Sequence, residues 1–121
     1  MSAIVIIGGG SWGCAIASSL QRAQQPFTVL ARSQHTVDNL IRGKCPKLID
    51  CAPIASVAAT TNQNCLAAAR MIFVAVPVKA NAESFVIIKT QQIGSAPAIV
   101  VLCAKGIVGD DQAGAMLLTE L

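Results

Sequence analysis

The stretch AIVIIGGGSWG at residues 3–13 decides the fold of this chain. Its first part, residues 3–7, is a short β-branched run, which is typical of a strand buried on both faces of a parallel sheet. Its second part, residues 8–13, fits the pattern Gly-x-Gly-x-x-Gly and lies where that strand ends and a helix begins. The helix is predicted over residues 11–24 and ends before Pro26.

The same alternation of apolar runs and helical patterns continues along the chain. Strands are predicted at residues 27–31, 55–60, 71–76 and 98–103, and helices at 36–41, 62–69, 79–92 and 112–121. Residues 42–53 contain a Gly and two Pro and are interpreted as a loop. Asn62 is expected to cap its helix. The helix at 79–92 is expected to bury one apolar face, made of Ala82, Phe85, Val86 and Ile93.

Strands that are apolar throughout and alternate with helices predict the α/β fold class. Right-handed crossovers then give a doubly wound parallel sheet of the Rossmann type, with helices on both faces and strand order 3-2-1-4-5. At 121 residues the chain has about the length of one domain. We therefore expect residues 1–121 to form a single Rossmann-type domain.

The composition excludes several classes of function. A net charge of +3 without a basic stripe, and three Phe, one Trp and no Tyr, argue against nucleic-acid binding. No apolar run is long enough for a membrane span, so a cytoplasmic protein is expected. Five cysteines without a CxxC pair predict reduced, mostly buried thiols and no metal site. A hydrophobic content of 54% indicates either a sheet covered on both faces or an absent partner, and the two are compatible.

The glycines at the first strand–helix junction predict a dinucleotide phosphate site. Gly8 permits a tight turn, Gly10 leaves no Cβ between the backbone and a pyrophosphate, and Gly13 lets helix and strand pack closely. The N–H groups at the start of the helix then hold the phosphates. A plain tight turn is the alternative interpretation. Trp12 either faces the ligand or anchors the core.

The residue types at the other strand ends indicate which dinucleotide is bound. Arg32 and Ser33 follow the second strand, where an NAD-selective site usually has an acid. An Arg can pair with a 2′-phosphate, so NADP(H) is favoured over NAD(H), or both are used. Val76 and Pro77 end the fourth strand, and Lys105 follows the fifth, near the expected nicotinamide end. Solvated surface charges are the alternative for Arg32 and Lys105.

Three motifs resemble one family. GGGSWGCAIA near the start, VAVP at the fourth strand and CAKGI at the fifth are similar to NAD(P)-dependent glycerol-3-phosphate dehydrogenase, along residues 4–120. The resemblance implies hydride transfer between dihydroxyacetone phosphate and sn-glycerol 3-phosphate. It also implies that Ser11 and Trp12 touch the cofactor, that Arg32 meets its adenosine phosphate end, and that Lys105 contacts nicotinamide and substrate.

The chain departs from the family in several places. Cys14 stands where the family has Thr, Cys103 and Ala104 replace the residues before Lys105, and an Asn-x-x-Tyr-Leu-Pro segment is hardly visible in residues 42–53. Family members are much longer, and a helical second domain supplies the catalytic Lys, an Arg for the substrate phosphate and the homodimer contacts. The resemblance therefore implies a cofactor-binding domain without catalytic residues of its own, inactive alone.

Two other interpretations stay open. The fold could serve a dehydrogenase of another substrate, such as ketopantoate reductase or hydroxyacyl-CoA dehydrogenase. It could also be a non-catalytic dinucleotide sensor, because His35 is the only histidine and follows the second strand, near adenine or simply exposed.

Overall fold

Strands and helices alternate along the chain in the predicted order as far as residue 102. The computed structural model describes residues 3–44, 55–94, 97–103, 107–110 and 114–117. The strands are β1 (Ile4–Ile7), β2 (Thr28–Leu30), β3 (Ala59–Thr60), β4 (Met71–Val74), β5 (Ile99–Leu102), β6 (Ile107–Asp110) and β7 (Gly114–Leu117). The helices are α1 (Ser11–Arg22), α2 (Gln34–Ile41) and α3 (Asn81–Gln91), with 3₁₀ helices at Gln63–Leu66 and Val78–Ala80.

Five strands form one parallel sheet in the order β3-β2-β1-β4-β5. On the central strand, Ile6 pairs with Val29 of β2 and with Phe73 of β4. The predicted doubly wound order is thus confirmed. Because the strands are parallel, the carboxyl ends of β1, β2, β4 and β5 lie along one edge of the sheet, where ligands bind in open α/β sheets.

The core lies in two layers, one on each face of the sheet. Alternate side chains of β1 point to opposite faces, as strand geometry requires. Val5 belongs to the layer under α3, which includes Ile88. Ile6 belongs to the layer under α1 and α2, which includes Ala17 and Leu40. Helices therefore cover both faces of the central strands, as predicted.

β3 and the helix between β3 and β4 are shorter than predicted. The strand expected at residues 55–60 has two residues, and the helix expected at 62–69 is the 3₁₀ helix Gln63–Leu66. Asn62 caps it as predicted, because its side chain accepts a hydrogen bond from the Asn64 N–H at 2.9 Å. The last carbonyls of this segment are bound from α3: Gln92 Nε2 donates to the Leu66 oxygen at 3.1 Å and to the Ala69 oxygen at 2.9 Å.

The buried face predicted for α3 is wrong at three of its four residues, and only Phe85 packs against the core. Val86 is 63% and Ile93 82% exposed, and Ala82 is exposed too, whereas Asn81, Ser84 and Ile88 are buried. The physical reason is that the two polar side chains bind main-chain carbonyls. Asn81 Nδ2 donates to the Pro77 oxygen at 3.0 Å, and Ser84 Oγ donates to the Ala80 oxygen at 3.0 Å. A polar donor that is paired in this way costs less to bury than an unpaired one.

The C-terminal part differs most from the prediction. The strand at residues 98–103 is present, but it is an edge strand, and Ile99 is 62% exposed rather than buried. The helix predicted at 112–121 is wrong where the structure describes it, since β6 and β7 form an antiparallel pair in which Ile107 lies opposite Leu117. β-Branched Ile107 and Val108 favour a strand. The remainder of that predicted helix lies outside the described residues.

None of the helices in the described ranges is long and apolar enough to cross a membrane. The loop predicted at residues 42–53 is described only as far as Lys44.

Candidate functional site

A cleft of about 940 Å³ opens at the carboxyl edge of the sheet. This volume is within the range of small-molecule and cofactor sites. The cleft brings together seven residues that the sequence predicts for the site, Gly8, Gly10, Ser11, Trp12, Arg32, Val76 and Pro77. Residues from three strand ends and from the start of α1 thus meet in one concave surface.

The floor of the cleft is a contact between backbones. Gly8 has a φ of +116°, and a Cβ there would overlap the carbonyl oxygen of Ala75. A Cβ on Gly13 would overlap the carbonyl oxygen of Gly8. Because neither overlap can be relieved by a side-chain rotation, β1, β4 and α1 meet this closely only with glycine at both positions. Gly13 is buried and serves this packing rather than lining the cleft.

The amino end of α1 faces the cleft without a cap. The N-cap residue Gly10 makes no side-chain hydrogen bond, and the first turn holds no acidic residue. A Cβ built on Gly10 would meet nothing within 4 Å, so the space in front of the helix is open. The helix dipole places partial positive charge at this end. The arrangement fits an anion such as a pyrophosphate.

Gly9 has a role that the sequence analysis missed. A Cβ on Gly9 would overlap the methyl group of Thr36, so α2 packs directly against the glycine loop. The signal was present in the sequence, because Gly9 occupies a position of the Gly-x-Gly-x-x-Gly pattern that any residue can fill. A third consecutive glycine there indicates a further close approach.

Trp12 lies at the mouth of the cleft. Its side chain is 67% exposed, and it lines the cleft together with Ser11. Such exposure is incompatible with a core anchor. Of the two interpretations that the sequence left open, the core anchor is therefore wrong, and contact of Trp12 with a ligand stays a prediction.

The β2 side of the cleft is lined by basic residues. Arg32, His35 and Lys44 line it, and Lys44 is a residue that the sequence analysis did not single out. Arg32 Nη2 lies 3.2 Å from Glu83 Oε2 of α3, an ion pair between exposed side chains. Ser33 does not line the cleft: its Oγ accepts a hydrogen bond from the Thr36 N–H at 3.2 Å and caps α2.

The β4 side of the cleft is apolar, and a buried side chain binds its backbone. Val76, Pro77, Val78 and Cys103 form this wall. Asn81, which is fully buried, donates through Nδ2 to the Val76 oxygen at 3.4 Å and to the Pro77 oxygen at 3.0 Å. Its Oδ1 has no hydrogen-bond partner within the described ranges. Sequence analysis missed Asn81, because a polar residue in an apolar helix pattern is usually read as exposed.

Lys105, with Ala104 and Gly106, lies outside the described residues. Its predicted contact with nicotinamide and substrate stays a prediction.

Three cysteines lie in the described part of the chain, and one of them, Cys103, lines the cleft. Cys14 and Cys65 are buried and Cys103 is partly buried, and all three are thiols rather than halves of a disulfide. Burial raises the pKa of Cys65 and that of Cys103 above the usual 9.0. In the described part of the chain, no three His, Cys, Asp or Glu side chains are grouped to hold a metal. Cys45 and Cys51 lie outside that part.

Comparison with known proteins agrees with the geometry. Residues 3–121 match the model of the family described as NAD-dependent glycerol-3-phosphate dehydrogenase N-terminus. A glycerol-3-phosphate dehydrogenase [NAD(P)+] of Neorickettsia sennetsu is 31% identical over 97% of this chain and 34% of its own length. Its counterpart in Alcanivorax borkumensis is 35% identical over 96% of this chain and 33% of its own length. The chain thus spans about a third of the length of these curated relatives.

A solved structure has the same fold. Glycerol-3-phosphate dehydrogenase from Coxiella burnetii superposes with a TM-score of 0.71 at 23% identity, over 87% of this chain and 33% of that protein. Arogenate dehydrogenase from Synechocystis superposes with a TM-score of 0.67 at 21% identity, over 90% of this chain and 35% of that protein. At these identities the likeness shows the fold alone. The family match over nearly the whole chain is more specific, and the chain belongs to the family of NAD-dependent glycerol-3-phosphate dehydrogenase N-terminal domains.

Proposed function

We propose that the chain is the cofactor-binding part of an NAD(P)-dependent glycerol-3-phosphate dehydrogenase. The observation that carries this proposal is the open amino end of α1 at Gly10, which has no side-chain cap and no acid in its first turn. Backbone N–H groups and the helix dipole bind the pyrophosphate of NAD(P) there. The names of the relatives and of the family point to the same cofactor.

The strand order gives the orientation of the cofactor. In a doubly wound sheet each half of a dinucleotide lies over one side of the switch point, here between β1 and β4. The adenosine half lies toward Arg32, His35 and Lys44 on the β2 side. The nicotinamide half lies against the apolar wall of Val76 and Pro77.

The reaction belongs to the longer protein. When bound, NAD(P) would supply hydride chemistry at nicotinamide C4: the reduced form would donate a hydride to dihydroxyacetone phosphate, and the oxidised form would accept one from sn-glycerol 3-phosphate. The residues of this chain bind and orient the cofactor, and Lys105 contacts the phosphorylated substrate. A second, helical domain supplies the catalytic Lys, the Arg for the substrate phosphate and the homodimer contact, and the protein works in the cytoplasm.

The choice of cofactor follows from charge. Arg32 and Lys44 line the adenosine side. Arg32 and Ser33 stand directly after β2, where an NAD-selective site usually has an acidic residue. A guanidinium binds a phosphate through two parallel hydrogen bonds. NADPH therefore binds at least as tightly as NADH. We expect Arg32→Glu to reverse this order in a fluorescence titration, and a clear preference for NADH in the unmutated chain would contradict it.

The phosphate site is tested by Gly10→Ala. The added methyl group occupies the space in front of α1, so affinity for NADH and NADPH should fall at least about tenfold, which is the loss of about one charge-assisted hydrogen bond. Trp12 is the only tryptophan and lines the cleft, so quenching of its fluorescence measures binding. Gly94→Ala is the matched control, since a Cβ there also meets nothing within 4 Å and Gly94 does not line the cleft. Unchanged affinity of the Gly10→Ala variant would refute the proposed site.

A further inference from the structure

The fold brings an acidic side chain to the one place where the sequence appeared to lack one. Arg32 at the end of β2 and Glu83 in the first turn of α3 are 51 residues apart in the chain, yet Nη2 and Oε2 lie 3.2 Å apart. Both side chains are largely exposed, at 77% and 61%. A carboxylate thus lies beside the guanidinium that is proposed to receive a 2′-phosphate.

The ion pair lies beside the cleft rather than across it. Arg32 lines both the large cleft and a neighbouring cavity of about 220 Å³, whereas Glu83 lines only the smaller cavity. The guanidinium can therefore be reached from the cleft while Glu83 holds it from the other side. The two cavities share Arg32, Ala31 and Val76.

An exposed ion pair is weak, because water and salt screen it and both side chains lose rotamer freedom. A phosphate dianion is a stronger ligand for the same guanidinium, because it offers more charge and can accept two parallel hydrogen bonds. A 2′-phosphate bound to Arg32 would lie close to the Glu83 carboxylate and be repelled by it. NAD(H) has a hydroxyl at this position and leaves the Arg32–Glu83 pair intact.

We propose that Glu83 is a specificity-determining residue whose carboxylate competes with the 2′-phosphate for Arg32 and lowers the preference for NADP(H) over NAD(H). This inference rests on the proposed function of the cleft. It explains how one site can accept both cofactors: Arg32 serves the phosphate, and Glu83 keeps Arg32 paired when the phosphate is absent.

Glu83 has one other visible role. A carboxylate in the first turn of α3 also stabilises the helix dipole. That role affects the stability of the fold and does not distinguish two dinucleotides that differ at the 2′-position. The ratio of the two affinities therefore separates specificity from structure.

The experiment is a double-mutant cycle on the full chain. Dissociation constants for NADPH and NADH are measured by Trp12 fluorescence for the parent chain, Glu83→Gln, Arg32→Gln and the double variant. We expect Glu83→Gln to raise the NADPH-to-NADH affinity ratio about three- to fivefold, the upper range for an exposed ion pair. In the Arg32→Gln background the same change should leave the ratio within about twofold, since the competing partner is gone.

Three controls locate the effect. Asp38→Asn removes the same charge from α2, where Asp38 Oδ1 accepts from Gln34 Nε2 at 3.0 Å, and should leave the ratio unchanged. Adenosine 2′,5′-bisphosphate should gain affinity from Glu83→Gln, and AMP should not. Glu83→Asp, whose carboxylate is one methylene further from Arg32, should give an intermediate ratio.

The outcomes are distinguishable. If NADH and NADPH both bind but their ratio does not respond to Glu83→Gln, or responds equally to Asp38→Asn, Glu83 does not determine specificity and the proposed function stands. If neither dinucleotide binds the folded parent chain, the proposed function fails, and the role of Glu83 fails with it.

Discussion

β1 and β5 have almost the same sequence and opposite surroundings. β1 reads IVII and β5 reads IVVL. In β1, Val5 and Ile6 are completely buried, whereas in β5 Ile99 is 62% and Val100 38% exposed. Both strands are parallel and both pair with β4. The apolar run thus predicts a strand in each case and does not determine what covers it.

The difference comes from neighbours that lie far away in sequence. β1 has a strand on each side and a core layer on each face, whereas β5 ends the sheet. The two explanations for the high apolar content therefore apply to different regions. The central strands need apolar residues on both faces, while apolar side chains of β5 and of α3, such as Ile99 and Val86, stay exposed in this chain.

The largest effect is expected at the centre, from Gly13→Ala. The added Cβ overlaps the Gly8 carbonyl oxygen, so α1 must move away from β1. Overlap with backbone cannot be relieved by a rotamer change, and we expect unfolding to become easier by at least about 4 kcal/mol. Urea denaturation followed by circular dichroism measures this. Gly94→Ala, where a Cβ has no neighbour within 4 Å and φ is +79°, should lose only about 1 kcal/mol. Equal losses would mean that the packing of α1 on β1 is not tight.

The same substitution in the two strands tests the comparison directly. Ile6→Ala removes a fully buried side chain and leaves a cavity, so the free energy of unfolding should fall by about 3 kcal/mol. Ile99→Ala removes a side chain that is mostly in water, and the loss should stay below about 1 kcal/mol. Losses of similar size would show that β5 is covered in solution, for example by a second copy of the chain.

A loss of stability of intermediate size is expected at β4, which lies between β1 and β5. Asn81 binds the backbone that follows this strand. Asn81→Ala removes the donors to the Val76 and Pro77 oxygens, so stability should fall by about 1 to 2 kcal/mol. The wall beside the nicotinamide should also loosen. We expect weaker binding of NADH but unchanged binding of AMP, which contacts only the β2 side. If AMP and NADH weaken equally, Asn81 acts on the whole fold.

The smallest effect concerns pH. Burial raises the pKa of Cys65 and of Cys103, so the folded state retains a proton that the unfolded chain loses. Stability should therefore not depend on these thiols below their usual pKa of 9.0, and should decrease as pH rises above it. Each thiol contributes less than about 1.4 kcal/mol per pH unit. Cys65→Ser should reduce the slope of unfolding free energy against pH more than Cys103→Ser. A larger effect of Cys103→Ser would contradict the deeper burial of Cys65, which lies in the core layer under α3.

Features that depend on local pattern were predictable from the sequence. The glycine turn and the cap at Asn62 each follow from residues adjacent in the chain, and the strand order follows from the alternation of strands and helices with right-handed crossovers. The buried face of α3 was not, because Asn81 and Ser84 become compatible with burial only once the Pro77 and Ala80 carbonyls accept their hydrogen bonds.

The acidic partner of Arg32 was missed for a related reason. The sequence has no acid between Arg32 and Asp38, and Glu83 reaches the site through the parallel crossover that places the first turn of α3 beside the end of β2. A contact between the end of one strand and the start of a distant helix depends on how the sheet is assembled. The spacing of residues along the chain does not reveal it.

The side chain of Gln92 makes two separate segments dependent on each other. Its amide donates to the oxygens of Leu66 and Ala69. The short turn before β4 therefore depends on a hydrogen-bond donor from outside the turn. When the last turn of α3 frays, both carbonyls lose the Gln92 amide. Within the described residues only the Leu66 oxygen keeps a second donor, the Ala69 N–H at 3.2 Å, and that segment loosens too. Amide protons at 65–69 and at 88–92 should therefore exchange with deuterium as one cooperative unit, separate from the glycine turn on which the cofactor rests.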